Sequence, residues 1–218
     1  MRNKYFFVIL LFLPLLSIAQ DDDTEFWGSI KFRKNVKGKL QLNLERQLRW
    51  VENTGEQKKN FTELGFKYKA HKKHSLALNV RLINEINVLN VLYEKASSFR
   101  SHFDLNSSWR FKKTSLNIKH RFRLQRSWDS DARIDKTYTR SKFGFMLKRK
   151  NASPYIDNEF FWDISQGFLI DKHRFTVGLG LEIYDDLKLK LFLRRQREIQ
   201  SKTPDKKTIV GLGTQYKF

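Results

Sequence analysis

Period-two alternation dominates this chain and leaves few folds open to it. Residues 114–128 read TSLNIKHRFRLQRSW: Leu116, Ile118, His120, Phe122 and Leu124 share one face, and Asn117, Lys119, Arg121, Arg123 and Gln125 share the other. A helical period would scatter these residues around a cylinder, whereas successive side chains of a strand point to opposite faces. The pattern recurs at 38–50, where Leu40, Leu42, Leu44, Leu48 and Trp50 oppose Lys39, Gln41, Asn43, Glu45 and Arg49. It recurs again at 186–198, with Leu187, Leu189, Leu191 and Leu193 against Lys188, Lys190 and Arg194. Eleven segments of this kind can be read: 25–34, 38–50, 60–70, 73–86, 97–111, 114–128, 136–149, 153–164, 171–184, 186–199 and 207–218. Most exceed the roughly five or six residues usual in soluble sheets and suit a strand that crosses a bilayer at a tilt. The expectation is all-β: an antiparallel up-and-down transmembrane β-barrel of 10–12 strands with a polar, basic lumen. Single-chain bacterial barrels have even strand numbers, so eleven segments predict ten or twelve strands. Either a strand is hidden in INVLNVLYE (86–94) or one segment stays out of the wall.

The two ends agree with a membrane destination. Arg2 and Lys4 precede a twelve-residue apolar run, Tyr5 to Leu16, and Ser17-Ile18-Ala19 supplies small residues for cleavage. Twelve residues of helix fall short of ~30 Å of hydrocarbon, so 1–19 is expected to be a cleaved signal peptide and 20–218 the barrel domain. In a cytosolic protein a net charge of +20 would suggest nucleic acid; for an exported chain no nucleic acid is expected. Absence of cysteine excludes disulfides, thiolate metal sites and a cysteine nucleophile. At the far end Val210, Leu212, Tyr216 and Phe218 lie on one face, and Leu212, Tyr216 and Phe218 are expected to form the signal read by barrel-insertion machinery. Those features imply the outer membrane of a Gram-negative bacterium, with outer-membrane lipid and lipopolysaccharide as partners.

Short connectors (35–38, 71–73, 112–113, 150–153, 185–186) alternate with longer ones (51–59, 87–96, 129–135, 165–170, 200–206), the layout of turns on one rim and loops on the other. Trp50, Trp128 and Trp162 each end an apolar face just before a long connector, and Trp109 ends one at the opposite rim. These four are expected to form interfacial aromatic girdles.

Placing the apolar faces in lipid turns the charges inward, because Lys or Arg facing the bilayer midplane costs roughly 2–4 kcal/mol. The expected lumen then holds Lys39, Arg49, Arg81, Arg100, Arg110, Lys119, Arg121, Arg123, Arg140, Lys142, Lys188, Lys190 and Arg194. Against them stand Glu45, Glu85, Asp104, Asp157, Glu159, Asp163, Glu182 and Glu198. Base exceeds acid, and the long arginines of a narrow barrel are expected to pair with the carboxylates and partly plug the bore. The acidic face of YIDNEFFWD (155–163) could hold a cation; the alternative, neutralisation of Arg140, Lys142 and Arg174, fits the abundance of bases better.

Catalytic constellations are sparse. Of His71, His74, His102, His120 and His173, His102 is the candidate to name: Asp104 is its same-face neighbour, whereas Ser101 and Ser107 are not, so the couple has no matching nucleophile. No phosphate-cradling glycine loop or zinc-spaced cluster occurs, and no cofactor is expected. Gly178, Gly180, Gly211 and Gly213 alternate within strands, which implies close packing or curvature of the wall.

The segments EFWGSIKFRKNVKGKLQLNLERQLRW, FTELGFKYKAHKKHSLALNVRL, HRFTVGLGLEIYDDLKLKLFLRRQREI and IVGLGTQYKF resemble the uncharacterised bacterial barrels grouped as domain of unknown function 2490. The resemblance spans nearly all of 20–218, consists of strand-and-turn patterns, and implies an outer-membrane barrel with no known activity and no transferable site residues. Three functions remain open: a narrow basic pore favouring anions, a plugged structural or interaction barrel that grips lipopolysaccharide or a protein, and a membrane enzyme.

Overall fold

The computed structural model describes residues 23–36, 38–51, 57–89, 92–111, 113–129, 134–200 and 204–218, with backbone only at 57–58, 86–89, 92–95 and 134–135. The expected signal peptide, 1–19, lies outside the described residues. Eleven strands follow one another: β1 (Asp23–Asn35), β2 (Leu40–Val51), β3 (Gln57–Tyr68), β4 (His74–Leu89), β5 (Leu92–Phe111), β6 (Leu116–Trp128), β7 (Ile134–Leu147), β8 (Ala152–Asp163), β9 (Leu169–Glu182), β10 (Leu187–Glu198) and β11 (Lys206–Lys217). Each pairs antiparallel with the next, and β11 pairs with β1 to close a barrel.

The count is eleven, not the ten or twelve that even parity predicts. An odd meander brings its first and last strands round in the same direction, so the seam is parallel: Phe26 faces Val210, Gly28 faces Leu212 and Phe32 faces Tyr216. Closure leaves no sheet edge in need of hydrogen-bond partners. The described part of the stretch 86–94, residues 86–89 and 92–94, is no twelfth strand. It lengthens the β4–β5 hairpin, with Ile86 opposite Lys95 and Leu89 opposite Leu92, because its alternation continues in register from the wall below.

The connectors differ less than expected. On one rim lie 36–39, 69–73, 112–115, 148–151 and 183–186; on the other lie 52–56, 90–91, 129–133, 164–168 and 199–205. Strand pairing has absorbed most of the excess length on the second rim, called the loop rim below; the first is the turn rim.

The two faces of the wall are inverted relative to a soluble barrel. Outward rows carry Ile30 (52% exposed), Leu78 (54%) and Leu82 (58%), while Glu63, Arg123, Arg140 and Glu159 are buried inside. Large apolar side chains thus make up much of the exterior of the described wall. Two inward glycines fit this interior: Phe192 lies over Gly211 and Tyr155 over Gly178, where any Cβ would strike the ring.

Candidate functional site

The interior is one cavity of about 1530 Å³ whose lining runs from Lys39 and Lys73 at the turn rim to Lys172 and Lys207 at the loop rim. Twenty-two Lys and Arg side chains line it against eight Asp and Glu, so its field favours anions.

A belt of guanidinium groups and rings crosses the loop-rim half. Arg140 on β7 stacks on Phe161 of β8 (4.1 Å), and Arg174 of β9 stacks on the same ring (4.6 Å). Arg174 also reaches Trp27 of β1 (5.7 Å), across the chord left by β10 and β11. Arg49 covers Trp27 at 3.8 Å and approaches Phe61 at 5.6 Å, and Arg81 covers Phe61 at 3.6 Å. Arg194 stands 5.1 Å from Trp27. On β5 and β6 the circuit is polar: Arg100 donates to Ser127 Oγ (3.0 Å), and Arg140 donates to Gln125 Oε1 (2.9 Å). On β11, Gly211, paired with Trp27, carries no side chain at this level. Desolvated cation–π contacts of this kind contribute up to about 2 kcal/mol each.

Carboxylates tie the belt to the wall. Glu159 takes Arg121 at 2.6 Å, Arg140 at 2.8 Å and Arg174 at 3.9 Å. Asp104 takes both ends of the Arg123 guanidinium (2.6 and 2.8 Å), and Glu63 accepts from Arg81 Nε at 2.7 Å. Lys142 pairs with Asp157 at 2.7 Å and Lys31 with Glu45 at 2.7 Å; Lys59 pairs with Glu85. Among the described residues every charged pair between strands joins neighbours or next-but-one neighbours, so the network follows the wall. Three arginines of the belt, Arg49, Arg100 and Arg194, pair with no carboxylate there; Arg49 and Arg194 donate instead to Gln47 Oε1 (3.1 Å) and Thr176 Oγ1 (2.9 Å).

Most of the residues expected in the lumen line the cavity: Lys39, Glu45, Arg49, Arg81, Glu85, Arg100, Lys119, Arg121, Arg123, Arg140, Lys142, Asp157, Glu159, Lys190, Arg194 and Glu198. Four do not. Asp104 is buried behind Arg123; Asp163 accepts from the Ser165 backbone N–H (2.9 Å); Arg110 and Lys188 sit near the turn rim, Lys188 holding Glu182 at 2.5 Å. The acidic face of 155–163 holds no cation site: among the described residues no group of His, Asp and Glu could hold a metal, and Glu159 is spent on arginines. His102 and Asp104 do not form a couple either. Asp104 belongs to Arg123, the nearest acid to His102 Nε2 is Glu63 at 3.8 Å, and both ring nitrogens of His102 lack a hydrogen-bond partner.

The rings of the belt, Trp27, Phe61 and Phe161, were not anticipated, although parity could have found them. Each shares its face with acids: Trp27 with Glu25, Phe61 with Glu63, Phe161 with Glu159.

On the outer face Trp50, Trp128 and Trp162 stand near the loop rim and Trp109 near the turn rim. A register shift occurs beside each of the first three, at Arg49/Trp50, Ser127/Trp128 and Phe161/Trp162. Such bulges re-aim side chains at barrel rims. Trp50 leans over Gly28 (3.2 Å to a Cβ there), and Trp128 meets Phe99 at 5.4 Å. Tyr216 and Phe218 meet at 5.9 Å in a tilted contact at the end of the last strand, beyond Leu212.

Residues 24–207, from the first strand to the start of the last, match the family described as "Protein of unknown function (DUF2490)". The chain belongs to this family. No curated protein matches it. DUF2490 membership assigns no activity, so the function of the belt is argued from its geometry.

Proposed function

We propose that the protein is an outer-membrane β-barrel of a Gram-negative bacterium, exported by its signal peptide, whose basic lumen admits and holds small anions. The observation that carries this is the cavity itself: a rim-to-rim lining with twenty-two bases and eight acids. In the membrane the apolar outer rows face acyl chains, the tryptophans take the two interfaces, and the loop rim faces outward from the cell. Leu212, Tyr216 and Phe218 then serve the insertion machinery. Within the lumen, Arg49, Arg100 and Arg194 offer guanidinium groups without carboxylates, the donors best suited to carboxylate or phosphate. Lys119 and Lys190, nearer the turn rim, extend the positive field.

In planar bilayers under a tenfold KCl gradient, the folded protein is expected to conduct with a reversal potential of anion sign. A cation preference would overturn the reading. A second reading is favoured by one observation, the Phe161–Arg174–Trp27 contacts that cut a chord from β8 to β1: a non-conducting barrel plugged at its belt. Complete absence of conductance from folded protein selects it.

A further inference from the structure

Outside the lumen, the wall carries a charge arrangement that the lumen reading does not use. His173 on β9, Arg197 on β10 and Lys206 on β11 are consecutive cross-strand partners, Arg197 facing His173 on one side and Lys206 on the other. All three lie on the outer face, close to the loop rim. With Phe175 and Arg195 they line a surface hollow of about 370 Å³. Like charges directly opposite one another destabilise a sheet, and neither Arg197 nor Lys206 pairs with a carboxylate of the described residues. The adjacent acids are taken: Asp171 by Lys172 (3.4 Å) and Tyr138 (3.0 Å), Asp205 by Lys207 (3.0 Å). His173 is held by Asn158 and meets the Phe160 ring at 4.8 Å in a tilted contact.

Toward the turn rim the same three strands become apolar. The row of Phe175, Arg195 and Thr208 is followed by Val177, Leu193 and Val210, then by Leu179, Leu191 and Leu212. Cations in the two rows nearest the rim, Arg197 and Lys206 and then Arg195, which donates to Thr208 Oγ1 at 2.7 Å, above two apolar rows match an amphiphile with an anionic head and hydrocarbon tails.

We propose that this face of β9–β11 binds a phosphate-bearing lipid, with Arg197 and Lys206 clamping the phosphate from either side. The assignment rests on the membrane reading above. Phosphate fits because a guanidinium binds its oxygens in bidentate fashion and one anion between two cations removes their repulsion. The acyl chains then lie along Val177, Leu193 and Val210, which fixes the direction of the headgroup toward the loop rim.

The test uses the full chain in a neutral detergent, with dioleoyl phosphatidic acid, dioleoyl phosphatidylcholine and inorganic phosphate as probes, and native mass spectrometry and thermal unfolding as readouts. Phosphatidic acid is expected to bind at least tenfold more tightly than phosphatidylcholine and to raise the unfolding midpoint. In Arg197→Gln/Lys206→Gln both effects are lost, while the midpoint in detergent alone is unchanged or higher because the repulsion is gone. Arg49→Gln, inside the barrel, keeps wild-type lipid affinity. Inorganic phosphate at the same concentration gives no midpoint rise. Equal lipid affinities of wild type and double variant, or a midpoint rise from inorganic phosphate alone, would overturn the site. Failure of the mature protein to partition into detergent or vesicles would overturn the membrane reading instead, which separates the two.

Discussion

Glu159 holds three guanidinium groups in a buried cluster, whereas Arg46 sits alone among leucines on the other side of the wall; the two residues make opposite predictions. Removing one partner from a buried ionic cluster leaves uncompensated charge, at a cost of roughly 3–5 kcal/mol. Glu159→Gln keeps the volume and removes the charge from between Arg121, Arg140 and Arg174. Its unfolding free energy in denaturant titrations from vesicles is expected to fall by about that amount; a loss below about 1 kcal/mol would mean that water in the lumen screens the cluster. Arg46 faces outward between Leu44 and Leu48, opposite Ile30, and donates only to Thr62 Oγ1 at 2.7 Å. Arginine on a lipid-facing wall costs up to roughly 4 kcal/mol at mid-depth and little at the interface. Arg46→Leu is therefore expected to raise stability in the same titration by about 1–2 kcal/mol, and an unchanged value would place Arg46 at headgroup depth. Parity made the inward arginines legible, but it treated the outward rows as uniformly apolar and so passed over Arg46. It also left the stacking of Arg174 on Trp27 unread, since that contact joins strands at the two ends of the chain and exists only once the barrel has closed.

The seam between β1 and β11 is where the elements depart from ordinary meander logic, and it is open to a direct check. The sequence gives no cysteine, so a pair introduced at Phe26 and Val210, which face each other across the seam, has no competing thiols. Phe26→Cys/Val210→Cys is expected to form an intramolecular disulfide under mild oxidation, seen as a mobility shift of the unfolded chain that reductant reverses. A chain that closed through ten or twelve strands would bring other residues opposite Phe26 and give no shift. Strand existence and extent were readable because each strand is long enough for its alternation to stand above noise. The rims were read less well. Residues 86–94 carry apolar side chains in strand period, and only the pairing of Ile86 with Lys95 identifies them as an extension of the β4–β5 hairpin. The register shifts beside Trp50, Trp128 and Trp162 are a matter of pairing between strands, which a single strand's sequence does not contain.

Odd strand number has one consequence for the molecule as a whole: the chain enters the wall at one rim and leaves it at the other. β1 begins at the loop rim, where Asp23 faces Lys207 and Glu25 faces Val51, and β11 runs parallel to it, ending at the turn rim where Phe218 N–H bonds to the Arg33 carbonyl at 3.0 Å. An even barrel would place both ends on one side. In a cell whose insertion machinery reads Phe218 from the periplasm, the start of β1 must then face outward with the loops. Single cysteines at Asp23 and Asp185, both exposed, report this without interference from native thiols. On intact cells a membrane-impermeant maleimide is expected to label Asp23→Cys, and to label Asp185→Cys, in the turn between β9 and β10, only after the outer membrane is permeabilised. Equal labelling of the two before permeabilisation would show that both rims lie on one side, which no eleven-stranded barrel spanning a membrane allows. Because the lumen field, the girdles and the lipid face are all assigned relative to the rims, this sidedness fixes which end of the arginine belt an incoming anion meets first: the loop rim, where Lys172 and Lys207 stand ahead of Arg174, Arg49 and Trp27.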